Sequence, residues 1–152
     1  MSLSLKVLPV GVLVVAMVLA KLIAIWLPGV SLPAQWIYPA VSLFILLGLI
    51  FGLSGVGLFR RFNTTVNPIN PEQASTLVTS GIYRFSRNPM YLGLLFCLLA
   101  WASYLGALTA FLVAPLFVIY MNLFQIIPEE QVLTRLFGES YQAYCRRVRR
   151  WL

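Results

Sequence analysis

The sequence predicts an all-α integral membrane protein with four transmembrane helices. A polar loop is expected between the second and third, and an amphipathic helical segment after the fourth. Three observations lead there. Of 152 residues, 61% are hydrophobic and only 10% charged, with a mean hydropathy of +0.89. Ordinary globular domains are about 45–50% apolar and about 25% charged, and one small core cannot hide the excess. Uncharged runs of span length recur along the chain, while polar residues collect in two pieces. A soluble enzyme, a disordered tail and a disulfide-stapled scaffold are thereby excluded, and the length fits a single domain over residues 1–152.

Each span follows from the need for about 20 apolar residues to cross a bilayer core. Residues 7–27 form the first, with Lys21 near its far end snorkelling to the outer interface. The run is long for a signal peptide, and no small-residue cleavage pattern follows it. Residues 36–59 form the second span, with Gly48-x-x-x-Gly52, Ser54, Gly55 and Gly57 expected to let a neighbouring helix approach closely. From Met90 to Ile127 no residue is charged, too long for one span and right for two. These are placed at residues 89–104 and 107–127, turning near Ser103 to Gly106.

Orientation follows from lysine and arginine. Arg60, Arg61, Arg84 and Arg87 lie in the loop 60–88, and Arg135, Arg146, Arg147, Arg149 and Arg150 in the tail 128–152. The two other loops have none, so the loop, the tail and both termini are expected in the cytoplasm. Trp26, Trp36 and Tyr38 then read as an outer aromatic belt. On a cytoplasmic loop the Asn63-Thr64-Thr65 sequon carries no weight.

The polar pieces hold the chemistry. The loop carries Pro68, Pro71, Gly81 and Pro89 as breakers, with Leu77, Val78, Ile82, Tyr83 and Phe85 among its polar residues, the composition of a packed loop. In the tail, Pro128 suits a first helical turn, with Glu129 and Glu130 after it. Leu133, Phe137, Tyr141, Tyr144 and Val148 then recur at helical steps past a possible break at Gly138. Arg149 and Arg150 read as contacts to anionic lipid headgroups. With four acids, no Asp and no His, histidine catalysis and histidine-ligated metal are excluded. Cys97 and Cys145 have no metal-site or disulfide spacing.

Residues 75–91, STLVTSGIYRFSRNPMY, followed by Leu92 and Gly93, resemble the signature of the isoprenylcysteine carboxyl methyltransferase family. Phospholipid N-methyltransferases share parts of it. The tail stretch 128–148, PEEQVLTRLFGESYQAYCRRV, is similar to that family's acidic pair, FG and paired tyrosines. The two blocks stand in the family's order over residues 60–150, as in a short bacterial-type member; the first two spans match by character only.

The resemblance implies an inner-membrane enzyme that holds S-adenosylmethionine at the cytoplasmic face and takes a lipophilic substrate from the bilayer. Cofactor-binding residues carried over by position are Ser75, Thr76, Leu77, Val78, Tyr83, Arg87, Asn88, Pro89, Met90, Tyr91 and Glu129. Glu129, Glu130 and Arg147 take catalytic roles, and no metal is implied. Partners are the acceptor and membrane lipids; basic residues flanking spans give no support for nucleic acid.

Two positions depart from the pattern. Asn88 stands where the family usually has His, which keeps a hydrogen-bonding group but no titration. Gln125 stands where the carboxyl methyltransferases place an Arg to grip the acceptor carboxylate, and is the candidate substrate-binding residue. The acceptor stays open between carboxylate, amine, thiol and neutral lipid; an amine needs a base, for which Glu130 or a tyrosine is available. Outside this class stand a non-catalytic membrane assembly protein and a small transporter. The transporter would want an acid inside a span, and none is present.

Overall fold

The computed structural model describes residues 7–27, 29–62 and 75–152. The sequon at Asn63, the prolines Pro68 and Pro71, and Glu72 lie outside the described residues. Among those described, three helical stretches are long and apolar enough to cross a bilayer, and a fourth, Pro89–Leu105, is a shorter apolar helix.

Helix α1 (Pro9–Trp26) begins on a proline, whose missing N–H would be unpaired there in any case. Helix α2 (Ala34–Arg61) ends on two arginines, Arg60 and Arg61, which suit the negative end of the helix dipole. Helix α3 (Pro89–Leu105) also starts on a proline and is stopped by Gly106, whose φ of 69° is left-handed and cheap only for glycine. That is the turn expected near Ser103 to Gly106. A short 3₁₀ turn, Leu108–Leu112, leads into α4 (Val113–Met121).

A further helix begins at Ile127, at the expected end of the fourth span, without a break in the helical course of the backbone. A π turn at Asn122–Ile126 joins α4 directly to α5 (Ile127–Arg147), and the backbone stays right-handed helical through Ile126 and Ile127. Pro128 stands in the first turn of that helix with Glu129 and Glu130 after it, as the sequence suggests, but the helix continues α4 rather than starting from a loop. A proline in an unbroken α-helix clashes with the carbonyl four residues back, and a wider turn just before it relieves that conflict. Gly138, at φ 52° and ψ −126°, breaks the helix where the sequence suggested.

Packing follows from small residues. Ala16 and Ala20 of α1 are buried with Ala102 of α3, and the Trp101 indole donates to the Met17 carbonyl at 2.9 Å. Gly93 of α3 faces Gly48 and Gly52 of α2, so close that a Cβ there would lie 2.9 Å from the Gly52 backbone. The α2 glycines thus serve packing within the chain. Large apolar side chains, among them Val14 and Val18 of α1 and Leu46 and Leu53 of α2, point outward. Lys21 is exposed too.

The two loops without lysine or arginine meet at one end of the bundle: Leu32 N–H donates to Gly106 at 2.7 Å and Leu108 N–H to Val30 at 3.0 Å. The arginine-rich segments gather elsewhere. Val78, Tyr83, Tyr141 and Tyr144 are buried together there, with Leu58 and Phe59 of α2 and Leu133 and Phe137 of α5 packed against them. The amphipathic face of α5 covers the loop, which rests on the last turns of α2.

Candidate active site

A cavity lies within this second cluster. The loop and the start of α3 line it with Thr76, Leu77, Val78, Tyr83, Arg87 and Asn88; α2 adds Phe59, and α5 adds Glu129, Glu130, Leu133, Tyr141 and Tyr144. Eight of the residues singled out from the sequence therefore share one pocket.

Tyr83 is set by three contacts. A 3₁₀ turn at Gly81–Arg84 presents it, its ring stacks on Phe59 at 5.2 Å, and its carbonyl accepts the Tyr144 hydroxyl at 2.7 Å. Tyr83 lines the cavity, and its own hydroxyl is buried with no hydrogen-bond partner among the described residues. Burial pushes that phenol up, far from neutral pH, so it remains a donor. An unpaired buried hydroxyl costs free energy, which a ligand acceptor would recover.

Glu129 and Glu130, adjacent in sequence, have opposite surroundings. Glu129 accepts a short hydrogen bond from the Tyr91 hydroxyl. Desolvation pushes its carboxyl up to about 8, the Tyr91 bond works the other way, and the Glu130 charge adds to the rise. Glu130 instead takes two arginines. Arg150 binds it through Nε at 3.0 Å and an Nη at 2.7 Å, and Arg87 approaches to 3.2 Å. Arg87 also donates to the Cys145 sulfur, and its Nε is buried without a partner.

The remaining sequence candidates sit around the cavity rather than in its lining. Tyr91 reaches it through Glu129. Pro89 and Met90 pack under it, Met90 against Gly55 of α2. Ser75 is exposed at the described edge of the loop. Arg147 is exposed on the far turn of α5, its Nε on the Ala143 carbonyl at 3.3 Å. Gln125 is fully buried in the π turn; its amide donates to the Val7 carbonyl at 2.8 Å, while its oxygen has no partner.

One sequence expectation is overturned. Arg150 does not face lipid: it is the bidentate partner of Glu130. Its neighbour Arg149 lends its carbonyl to the Arg87 N–H at 3.0 Å. A fixed carboxylate offers a guanidinium two aligned acceptors. Phe59, Leu133, Tyr141 and Tyr144 were legible as an apolar face, but nothing in their spacing marked them as pocket walls.

The pocket fits the cofactor that the sequence resemblance implies. Among the described residues Glu129 is paired with a neutral hydroxyl and could meet a cation, Tyr83 offers an unpaired donor, and Phe59, Leu77, Val78 and Leu133 supply an apolar slot.

Comparison with known proteins bears on the same region. An uncharacterized protein of Haemophilus influenzae is 48% identical over 63 residues, which is 41% of this chain and the whole of that relative. No solved structure matches significantly. The family model for phospholipid methyltransferases matches residues 36–140, which take in α2, the loop, α3 and both acids of the pocket. On that match, over more than half its length, the chain belongs to the phospholipid methyltransferase family.

Proposed function

We propose that the protein is an S-adenosylmethionine-dependent methyltransferase embedded in the membrane as four spans, acting on a lipophilic acceptor. The pocket and its arginines face the cytoplasm, and residues 1–152 act as one domain. The observation that carries this is the pocket itself, which gathers loop and α5 residues around an acid and a buried hydroxyl that have no ion pair and no hydrogen-bond partner, respectively, among the described residues. Family membership supports the reaction class and a lipid acceptor.

Bound there, the cofactor would supply an electrophilic methyl group on a sulfonium. Thr76, Leu77, Val78, Tyr83, Asn88 and Glu129 hold it, with Ser75 at the rim and Pro89, Met90 and Tyr91 backing the wall. Glu129 meets its cationic part and Tyr83 donates to an acceptor on it. The apolar walls exclude water, so orientation supplies much of the rate.

Glu130 is engaged by Arg150 and Arg87, which leaves Glu129 as the pocket acid without an ion pair among the described residues. Arg87, the cation among the pocket-lining residues described, is already matched by Glu130. That favours an amine or thiol acceptor over a carboxylate. Gln125, one helical turn before Glu129, is proposed to touch the acceptor through its unpaired oxygen, and Arg147 to act at the membrane surface beside the site.

Titration of detergent- or nanodisc-embedded protein with S-adenosylmethionine and S-adenosylhomocysteine, followed by calorimetry, tests the reading. Saturable binding is expected. Tyr83→Ala, which removes the hydroxyl and the Phe59 stack, should weaken it by about tenfold or more. Absence of binding in folded protein would move the assignment to a non-catalytic membrane protein. Topology is tested separately: reporter fusions in the loop at Ser75 and after α5 should both report the cytoplasm, and an external loop would refute the orientation.

A further inference from the structure

The segment after α5 turns back across the bundle. Val148 is extended, at φ −126° and ψ 133°, and the following residues run along the loop that precedes α3. The Arg149 carbonyl accepts the Arg87 N–H at 3.0 Å. The Arg150 carbonyl accepts the Asn88 side-chain amide at 3.0 Å and the buried Ser86 hydroxyl at 3.4 Å. On the other side, the Arg150 guanidinium grips Glu130, and the Trp151 indole donates to Asn122 in the π turn at 3.1 Å.

Three successive loop residues and two positions on the α4–α5 rod are therefore tied through one extended strap. None of its residues lines the cavity. What it touches does: Arg87, Asn88 and Glu130 are all pocket walls. Loop and α5 come from distant parts of the chain, and the strap fixes the gap between them.

We propose that Arg150 is a positioning residue, and that the strap 149–151 is the clamp that sets the width of the pocket. This rests on the methyltransferase reading for its consequence, but not for the clamp itself. A lysine cannot replace the fork, because two aligned N–H groups meet the two carboxylate oxygens of Glu130 only from a guanidinium. The main-chain bonds to Arg87 and Asn88 then follow the position of that side chain.

The test compares wild-type protein with Arg150→Ala and Arg150→Lys in nanodiscs by two measurements. The first is hydrogen exchange, without any ligand, in the peptide covering residues 84–91. Exchange should be faster in both variants, more so in Arg150→Ala, because the Arg87 amide loses its acceptor. The second is affinity for S-adenosylhomocysteine. It should fall about tenfold or more in Arg150→Ala, because Arg87, Asn88 and Glu130 lose their preorganised spacing, and less in Arg150→Lys.

Unchanged affinity in both variants would overturn the positioning role, as would unaltered exchange. Should Arg150→Ala fail to fold, Arg150→Lys carries the comparison. If wild-type protein does not bind the ligand while exchange still responds to Arg150, the methyltransferase reading fails and the clamp stands.

Discussion

Replacing Glu129 by Gln is expected to weaken S-adenosylmethionine binding by about 10–100-fold, the usual worth of a hydrogen bond to a charged group. The carboxyl stands in the cavity beside the Tyr91 hydroxyl, without a cation of its own. Its proton affinity gives the effect a pH signature. Burial holds Glu129 up to about 8, against an ordinary value of 4.5. Between those values the folded protein keeps a proton that the unfolded chain has released. Stability without ligand should therefore fall as pH rises through that window and level off above it.

Glu129→Gln cannot release that proton, so its thermal midpoint should lack this part of the decline. The groups facing Glu129 are the Tyr91 hydroxyl, the Glu130 carboxylate and the Tyr83 phenol, which burial keeps protonated. A cationic ligand reverses the balance by favouring the carboxylate. Affinity should rise with pH up to about 8, and binding should release a proton, visible as an enthalpy that changes with buffer ionisation. Binding equally tight in the variant, with the same pH profile, would remove Glu129 from the site.

Gly93→Val is expected to be the most damaging substitution within the bundle. A Cβ at Gly93 would stand 2.9 Å from both Cα and N of Gly52 and 3.0 Å from the Gly48 oxygen. Those are backbone atoms, so only a shift of a whole helix relieves the clash. Overpacking of this kind costs about 1–3 kcal/mol, and in a membrane helix–helix contact depends on close packing rather than hydrophobic burial. Gly93→Ala should show a smaller loss with the same sign.

Gly52→Ala is the matched control: its Cβ would meet nothing within 4 Å. Thermal melting of purified protein should separate the two glycines. The same splaying would move Met90, which packs on Gly55, and with it Asn88 at the pocket wall. Cofactor affinity should therefore drop in Gly93→Val together with stability. Equal melting of Gly93→Val and Gly52→Ala would show that the α2–α3 contact is looser than described.

Much of this protein was determined by sequence alone. Charge-free runs mark the spans because charge is costly in hydrocarbon, and the same rule concentrates polar residues at one end. Gly106 ends α3 and Gly138 interrupts α5 because both backbones are left-handed there. The ordered blocks at residues 75–91 and 128–148 both contribute walls to a single cavity, although Phe59 lies outside them and Leu133, Tyr141 and Tyr144 were legible only as apolar positions.

Tertiary structure decided what depends on distance between segments far apart in the chain. Nothing local distinguishes Glu129 from Glu130; only the strap, bringing Arg150 to one of them, makes one a structural ion pair and leaves the other uncompensated. The continuity of α4 into α5 was hidden for a related reason. Pro128 signals a helix start by its missing N–H, but a π turn just before it relieves the clash and lets the helix run on. Arg150 read as a lipid contact because basic residues beside a span usually serve the membrane, and only its fold-back onto Glu130 revealed a partner of matching shape.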